Sequence, residues 1–195
     1  SRGNFQEYMD DFEAHDHMHG GYIWDFVDQA IRKKTPDGDQ WLYGTDFEKY
    51  EPGRFTHIPN TTAMTGSNTY FNANGIITAD RKPHPSYFEV KKVYQNVGVK
   101  LVGDGCQIEV FNKQYFTPLN YDVVYKVRQD GRIIEQGALN EVVGLAPRTA
   151  KKVQVPVKVL AQQGWDNVTV DIEFLQPRDM PWAKKGYVQM AEQIE

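Results

Sequence analysis

Three histidines near the amino terminus are the first side chains whose spacing suits metal binding. They lie in the segment HDHMH at residues 15–19. His15 and His19 are four positions apart, so one face of a helix would present both to a metal ion. However, Gly20 follows at once and favours the end of a helix, where histidines also complement the helix dipole. We therefore favour a structural role for these histidines over a metal site.

Catalysis by paired carboxyl groups requires two of them about 5–10 Å apart on either side of a substrate bond. Asp25 and Asp28 are three positions apart in an extended segment, so their side chains are expected on opposite faces. A second acidic group belongs to the solvated face of a predicted helix and comprises Glu7, Asp10, Asp11 and Glu13. The sequence therefore predicts no complete catalytic pair within the chain.

The other reactive side chains lack neighbours that would activate them. Cys106 is the only cysteine and cannot form an intramolecular disulfide, so we expect a buried, inert thiol. His84 stands between two prolines and is interpreted as part of a rigid turn that anchors a helix. Asp80 and Arg81 are interpreted as an ion pair or a turn. No glycine-rich phosphate-binding loop is present.

Composition places the chain among ordinary globular proteins. Of its 195 residues, 40% are hydrophobic and 25% are charged, which excludes a disordered protein. The net charge of -4 argues against a nucleic-acid-binding surface. The aromatic share of 13% favours core packing first and sugar-binding surfaces second. Cytoplasm and periplasm are both compatible with this composition.

The first half of the chain shows helical and strand patterns in turn. Apolar residues at positions i, i+3, i+4 and i+7 predict a helix from Phe5, with Asn4 as its cap. The helix begins almost at once, without an apolar signal region, which suggests a chain cut from a longer protein. Residues 22–28 are aromatic or β-branched at nearly every position, which is typical of a strand buried on both faces.

A turn, a long loop and a second strand–helix pair complete this half. Residues 35–39 carry a turn signal, and residues 48–72 form a long loop of a kind that is more often functional than idle. Residues 74–78 predict a short strand, and a helix follows Pro85. This order of helices and strands is typical of an α/β fold.

After about Asn96 the apolar residues recur with a period of two, which is typical of antiparallel strands. The alternating stretches are residues 108–111, 121–127, 132–135, 153–157, 168–174 and 187–194. Asp130-Gly131 is a hairpin turn signal. Six or seven short strands within about 100 residues predict an immunoglobulin-like antiparallel β-sandwich. We place the boundary between the two domains at residues 96 and 97.

Two stretches of the first half carry specific motifs. Residues 19–29 read HGGYIWDFVDQ, and residues 71–85 read FNANGIITADRKPHP. Together they resemble the large bacterial β-galactosidases of glycoside hydrolase family two. The resemblance continues more loosely to the end of the chain. It implies that residues 1–96 are the carboxy-terminal part of a (β/α)8 TIM barrel and that residues 97–195 are the sandwich that follows.

The resemblance also implies which residues contact substrate, because barrel enzymes bind at the carboxyl ends of their strands. In this family the aromatic residue matching Trp24 lines the galactose pocket. The asparagine matching Asn74 and the backbone carbonyl matching Phe71 hold a sodium ion beside the primary hydroxyl of the sugar. A ring suits the apolar C–H face of a sugar, and oxygen donors suit a hard cation.

The same resemblance implies that the catalytic residues lie elsewhere. In the family, the nucleophilic glutamate lies just ahead of the segment matching residues 1–5, and the acid/base glutamate and magnesium ligands lie earlier. We therefore expect a parent enzyme that cleaves terminal β-D-galactose with retention, and an isolated chain that is inactive. Its partners would be β-galactosides, the other domains of the parent and further copies of it. Extra residues around 54–67 leave the preferred substrate size open.

A different class of function is also compatible with the sequence. The sandwich would then be a non-catalytic carbohydrate-binding or adhesion module whose platform consists of Tyr115, Phe116 or Trp165. A purely structural interaction domain would explain the sandwich but would leave the first 92 residues without an account.

Overall fold

The computed structural model describes residues 4–43, 46 and 72–195 of the chain. They belong to two compact units, Ser1–Tyr94 and Gln95–Glu195. The predicted domain limits, 1–96 and 97–195, stay predictions. No helix in the described part of the chain has the length and apolarity needed to cross a membrane.

The first unit contains two helices and one antiparallel hairpin among its described residues. In chain order these are α1 (Phe5–Ala14), β1 (Ile31–Thr35), β2 (Gly38–Leu42) and α2 (Pro85–Val93). The hairpin register pairs Thr35 with Gly38, which confirms the turn predicted there. Most of the predicted loop at residues 48–72 lies outside the described residues.

Helix α1 begins at Phe5 as its apolar spacing predicts, but Asn4 does not cap it. Asn4 has a φ of 61° and makes no side-chain hydrogen bond to the helix. A capping residue normally has extended backbone, which directs its side chain towards the first free N–H groups, and the left-handed backbone of Asn4 does not. The helix ends at Ala14, so His15 and His19 lie beyond it rather than on one helical face.

The two motif segments run side by side in parallel through a single β-bridge between Val27 and Ile77. The Asp28 amide also donates to the Ile77 carbonyl at 2.9 Å. The predicted strands at residues 22–28 and 74–78 are therefore much shorter in the structure. Parallel neighbours of this kind are the arrangement expected within an α/β barrel.

Only one face of the first motif segment is covered by the described residues. Ile23 and Val27 pack against a small core of Ile76, Ile77 and Val90. By contrast, three aromatic residues of the same segment are exposed: Tyr22, Trp24 and Phe26. Burial of this segment on both faces stays a prediction, because the described part of the chain covers only one of them.

The second unit is built from seven antiparallel strands in two sheets. The strands are β3 (Val97–Gly103), β4 (Gln107–Asn112), β5 (Asp122–Gln129), β6 (Arg132–Ala138), β7 (Ala150–Gln154), β8 (Val168–Leu175) and β9 (Val188–Ile194). One sheet has the order β3-β4-β7 and the other the order β6-β5-β8-β9. A short helix, α3 (Leu160–Gln163), precedes β8.

Alternating residues of both sheets form the core of the second unit, as the period of two predicts. Ile108 and Val110 from β4 and Val170 and Ile172 from β8 belong to one buried cluster. The predicted Asp130-Gly131 turn joins β5 to β6, and both of its residues have positive φ. Strand β3 was not predicted because its glycines interrupt the alternation of apolar residues.

Candidate functional site

Trp24 and Asn74 line the same cavity in the first unit. The cavity has a volume of about 540 Å³, which is within the range of small-molecule sites. The apolar face of α1 forms one side through Tyr8 and Phe12, and Tyr94 contributes another ring. The two segments that carry Trp24 and Asn74 are the parallel neighbours joined by the Val27–Ile77 bridge, and this pairing brings the two residues together.

The cavity combines an accessible aromatic ring with a polar amide. Trp24 is 68% exposed, so its ring is open to a ligand. The peptide bond between Trp24 and Asp25 is cis. Asn74 is half-buried and contributes a side-chain amide to the largely apolar lining. A largely apolar pocket with a few placed polar groups is the usual composition of a small-molecule site. Phe71, the third predicted site residue, lies outside the described residues.

A hydrogen-bonded network connects Asn74 to the first motif. The Gln29 amide nitrogen Nε2 donates to Asp25 Oδ2 at 2.8 Å and to Asn74 Oδ1 at 2.9 Å. The Asp25 backbone amide donates in turn to the Asn74 carbonyl at 3.2 Å. These contacts fix the position of Asn74 relative to the Trp24-Asp25 segment.

Asp28 forms a second network with different partners. It accepts a hydrogen bond from the Gly75 amide at 2.7 Å, and its other oxygen lies 2.7 Å from His84 Nε2. His84 is the residue immediately before α2, which begins with Pro85. The interpretation of His84 as an anchor for this helix is therefore confirmed. Asp25 and Asp28 bind separate partners, as expected from their spacing.

Glycine is the only residue type that fits at position 75, where the two motif segments meet. A Cβ atom at this position would lie 2.2 Å from the Asp28 nitrogen and 2.4 Å from the Val27 carbonyl carbon. Such a close approach between two backbone segments requires glycine. Asn74 thus places a side-chain amide in the cavity. Gly75, the next residue, leaves room for the backbone of Val27 and Asp28.

Asp80 forms its ion pair with Lys82 rather than with Arg81. The Lys82 Nζ atom lies 2.7 Å from Asp80 Oδ2, and this hydrogen bond lowers the pKa of the Asp80 carboxyl group. Arg81 has a φ of 71° and donates to the Ala79 carbonyl instead. The predicted turn is therefore confirmed and the Asp80–Arg81 ion pair is wrong, because the left-handed backbone of Arg81 directs its side chain back along the turn.

The histidine segment does not assemble a metal site in the structure. Among the described residues, no group of three or more His, Cys, Asp or Glu side chains converges on one point. His15 Nδ1 lies 3.0 Å from the Asp11 carbonyl, and its ring meets His17 edge-on. These contacts belong to the end of α1.

The proposed aromatic platform of the second unit is only partly present. Tyr115 is 64% exposed and Phe116 is 94% exposed, and the two rings are adjacent. Trp165 is half-buried and packs against the hydrophobic core, so it does not belong to this surface. Trp165 lies three positions before β8, whose residues are mostly buried.

Two sequence families match the chain. Residues 1–99 match the family described as glycosyl hydrolases family 2, TIM barrel domain. Residues 108–195 match the family described as beta-galactosidase, domain 4. The chain belongs to glycosyl hydrolase family 2. This assignment confirms the predicted fold class, the end of a TIM barrel followed by a β-sandwich.

Relatives of this family 2 chain share about a third of its residues. A β-galactosidase from Clostridium acetobutylicum is 34% identical over 96% of the chain, which covers 19% of that protein. A protein named beta-galactosidase 2 from Enterobacter cloacae is 30% identical over 96% of the chain, which covers 17% of it. A β-galactosidase from Priestia megaterium is 31% identical over 100% of the chain, which covers 18% of it. The chain therefore spans less than a fifth of the length of these relatives.

Sequence reasoning missed the hydrogen bonds that join the two motif segments. Gln29, Asp28 and His84 all lie within the two motifs, yet no role for Gln29 was expected. The available signal was the motif itself, because polar residues in or next to a predicted buried strand must find partners. Their partners are 45 to 56 positions away along the chain, so spacing alone does not pair them.

Proposed function

We propose that this chain is part of a β-galactosidase that cleaves terminal β-D-galactose from β-galactosides, and that Trp24 and Asn74 contact the galactose. The main support is that these two residues, 50 positions apart, line one cavity of suitable size. The names of the relatives support the substrate class. The partners of the chain would be the remaining domains of the same enzyme.

The role proposed for each residue follows from its chemistry. The open ring of Trp24 stacks on the apolar C–H face of galactose, while the Asn74 amide binds a hydroxyl group. Asp25 and Asp28 hydrogen-bond to Gln29 and His84 and so hold the motif segments together, and we assign neither of them the role of nucleophile or general acid. The two catalytic glutamates of the retaining mechanism, and the magnesium ligands, come from other parts of the polypeptide.

Sodium fits the donor atoms proposed to hold it. The side-chain oxygen of Asn74 and the backbone carbonyl of Phe71 are hard oxygen ligands. An amide oxygen has two lone pairs, so the hydrogen bond from Gln29 is compatible with a cation on the same atom. When bound, sodium supplies positive charge next to a sugar hydroxyl.

Titration of the ¹⁵N-labelled chain with D-galactose tests the pocket. We expect saturable shifts of the Trp24 indole and Asn74 side-chain signals, and we expect the Trp24→Ala variant to lose them. Trp182→Ala is the matched control, because Trp182 is 72% exposed in the second unit. Shifts confined to Tyr115 and Phe116 would overturn the proposal and favour the carbohydrate-binding alternative.

Activity measurements test whether catalysis requires parts of the enzyme outside this chain. The isolated chain should not hydrolyse a nitrophenyl β-galactoside, whereas the full-length product of its gene should. In that full-length enzyme, Trp24→Ala should lower kcat/KM about tenfold or more, which corresponds to a loss of about 1.4 kcal/mol of stacking. Turnover that rises in proportion to the concentration of the purified isolated chain would contradict the proposal that the catalytic glutamates lie outside it.

A further inference from the structure

One end of the second unit exposes a group of large apolar side chains. Antiparallel pairing places the ends of β4, β6 and β8 beside the starts of β5, β7 and β9, so the three loops that join these strands gather at that end. In this unit, which the structure describes completely, six of the nine exposed large apolar side chains lie there: Tyr115, Phe116, Val143, Trp182, Tyr187 and Val188. We refer to these six residues as the loop-end surface. Single exposed apolar residues are ordinary, whereas a group of them marks an interaction surface.

Trp182 of the loop-end surface is held on an ordered loop. The Met180 amide donates to the Ala183 carbonyl at 2.8 Å, so a hydrogen-bonded turn encloses Trp182. The Lys185 amide donates to Asp179 Oδ1 at 2.9 Å and closes the same loop a second time. A loop that is ordered before binding loses less conformational entropy when a partner arrives. Tryptophan is also among the residue types that contribute most to binding energy at protein interfaces.

The other two rings of the surface favour a protein partner over a sugar. The Arg148 guanidinium carbon lies 4.6 Å from the Tyr115 ring centroid and 5.0 Å from that of Phe111, which fixes Tyr115 in place. The neighbouring Phe116 ring is tilted by 45° from the Tyr115 ring, so the two rings offer no single flat face on which a sugar could stack. An uneven aromatic surface instead suits interlocking with apolar side chains.

The charges around the loop-end surface argue against self-association and for an acidic partner. The three loops, residues 113–121, 139–149 and 176–187, contain five basic and two acidic residues, whereas the whole chain carries a net charge of -4. In a two-fold dimer the same patch meets itself, so this excess of positive charge would face its own copy. Carboxylates on a different partner surface would compensate it.

We propose that the loop-end surface docks against another part of the same polypeptide, outside residues 1–195, which presents apolar side chains with carboxylates around them. The chain covers only 17–19% of the relatives' length, so most of such an enzyme lies elsewhere. A covalently linked partner has a high effective concentration, so docking does not require a high intermolecular affinity. The inference rests on the proposed function only in taking the chain as part of a larger enzyme.

Hydroxyl-radical footprinting of the full-length gene product and of the 195-residue chain tests the docking. The oxidation rate of Trp182 should fall about fivefold or more in the full-length protein, because the ring is 72% exposed in the chain and becomes desolvated at the interface. Trp165 is the matched control, because it is half-buried against the core at the opposite end of the sandwich and its rate should change little. Equal oxidation of Trp182 in both proteins would overturn the proposal.

The Trp182→Ala variant tests the same surface without labelling. The thermal midpoint of the second unit should fall by roughly 2–4 °C in the full-length protein and stay unchanged in the 195-residue chain, where the ring faces solvent. Ile134→Ala is the control, because Ile134 is exposed on β6 towards the opposite end and should change neither protein. A midpoint that Trp182→Ala leaves unchanged in both proteins would refute docking at this surface.

Carbodiimide cross-linking of the full-length protein identifies the occupant. Lys184 or Lys185 should join through an amide bond to a carboxylate outside residues 1–195, in a product that keeps the monomer mass on a denaturing gel. A product of twice that mass, linked through these lysines, would overturn the proposal in favour of a second copy. Protection of Trp182 that requires an added galactoside would overturn it in favour of sugar binding. If the full-length protein does not hydrolyse galactosides, the proposed function fails, and the protection of Trp182 still decides the docking.

Discussion

At the scale of single residues, Gly75 controls whether the two motif segments can meet. Replacing it with alanine would drive a methyl group into the backbone of Val27 and Asp28, where a Cβ atom would lie 2.2 Å from the Asp28 nitrogen. We expect Gly75→Ala to destabilise the first unit by about 1–3 kcal/mol, as overpacking does. Hydrogen exchange at the Asp28 amide should accelerate accordingly. Gly21→Ala is the control, because its Cβ would meet only the Phe12 ring at 3.4 Å.

Cys106 makes the second unit sensitive to alkaline pH. Burial raises the pKa of its thiol to about 11, from the ordinary value of 9.0. The folded state therefore holds the thiol proton more tightly, so this contribution to stability is present below pH 9 and is lost as the pH rises towards 11. At about pH 8 the native thiol should react with a disulfide reagent about 100-fold more slowly than the unfolded chain. Cys106→Ala should remove that alkaline loss of stability. Equal labelling rates for the native and the unfolded chain would contradict the burial of the thiol.

At the scale of elements, Asn112 at the end of β4 holds two connecting segments of the sandwich. It is fully buried and donates to the Thr117 and Leu145 carbonyls at 3.0 Å, while its own oxygen accepts the Gln114 amide. Asn112→Ala should cost at least about 2 kcal/mol, because backbone groups lose their partners. Denaturant unfolding measures the loss. Asn120→Ala, at an exposed position of the same segment, should change little, and an equal loss in both variants would contradict this role for Asn112.

The helices and strands also show where sequence patterns are sufficient to predict the structure. Helix α1, helix α2 and most strands of the sandwich follow from periodicity, because each directs an apolar face towards the rest of its own unit. The motif segments do not follow from it, since their extent depends on the layers that cover them. The pairing of Gln29 with Asn74 and of Asp28 with His84 is long-range, so only the family resemblance placed Trp24 and Asn74 at one site.

At the scale of the whole molecule, the two units differ greatly in their cores. In the part of the chain that the structure describes, the buried cluster of the first unit contains three residues, Ile76, Ile77 and Val90, and Val93 is buried outside it. The cluster of the second unit contains nineteen. Because buried apolar area is the main source of stability, the second unit should be the more stable by a wide margin. The exposed Tyr22, Trp24 and Phe26 further predict that the first unit associates when isolated.

This asymmetry predicts that the chain unfolds in two separate steps. Hydrogen exchange in increasing denaturant should release the Ile76 and Ile77 amides at a lower midpoint than the Val170 and Ile172 amides. One variant in each unit makes the test specific. If the units unfold independently, a substitution in one unit should not change the free energy of unfolding of the other. Gly75→Ala should lower only the first midpoint, and Asn112→Ala only the second. If either variant moves both midpoints equally, the units unfold as one cooperative body, and the small core of the first unit must then gain its stability from the second.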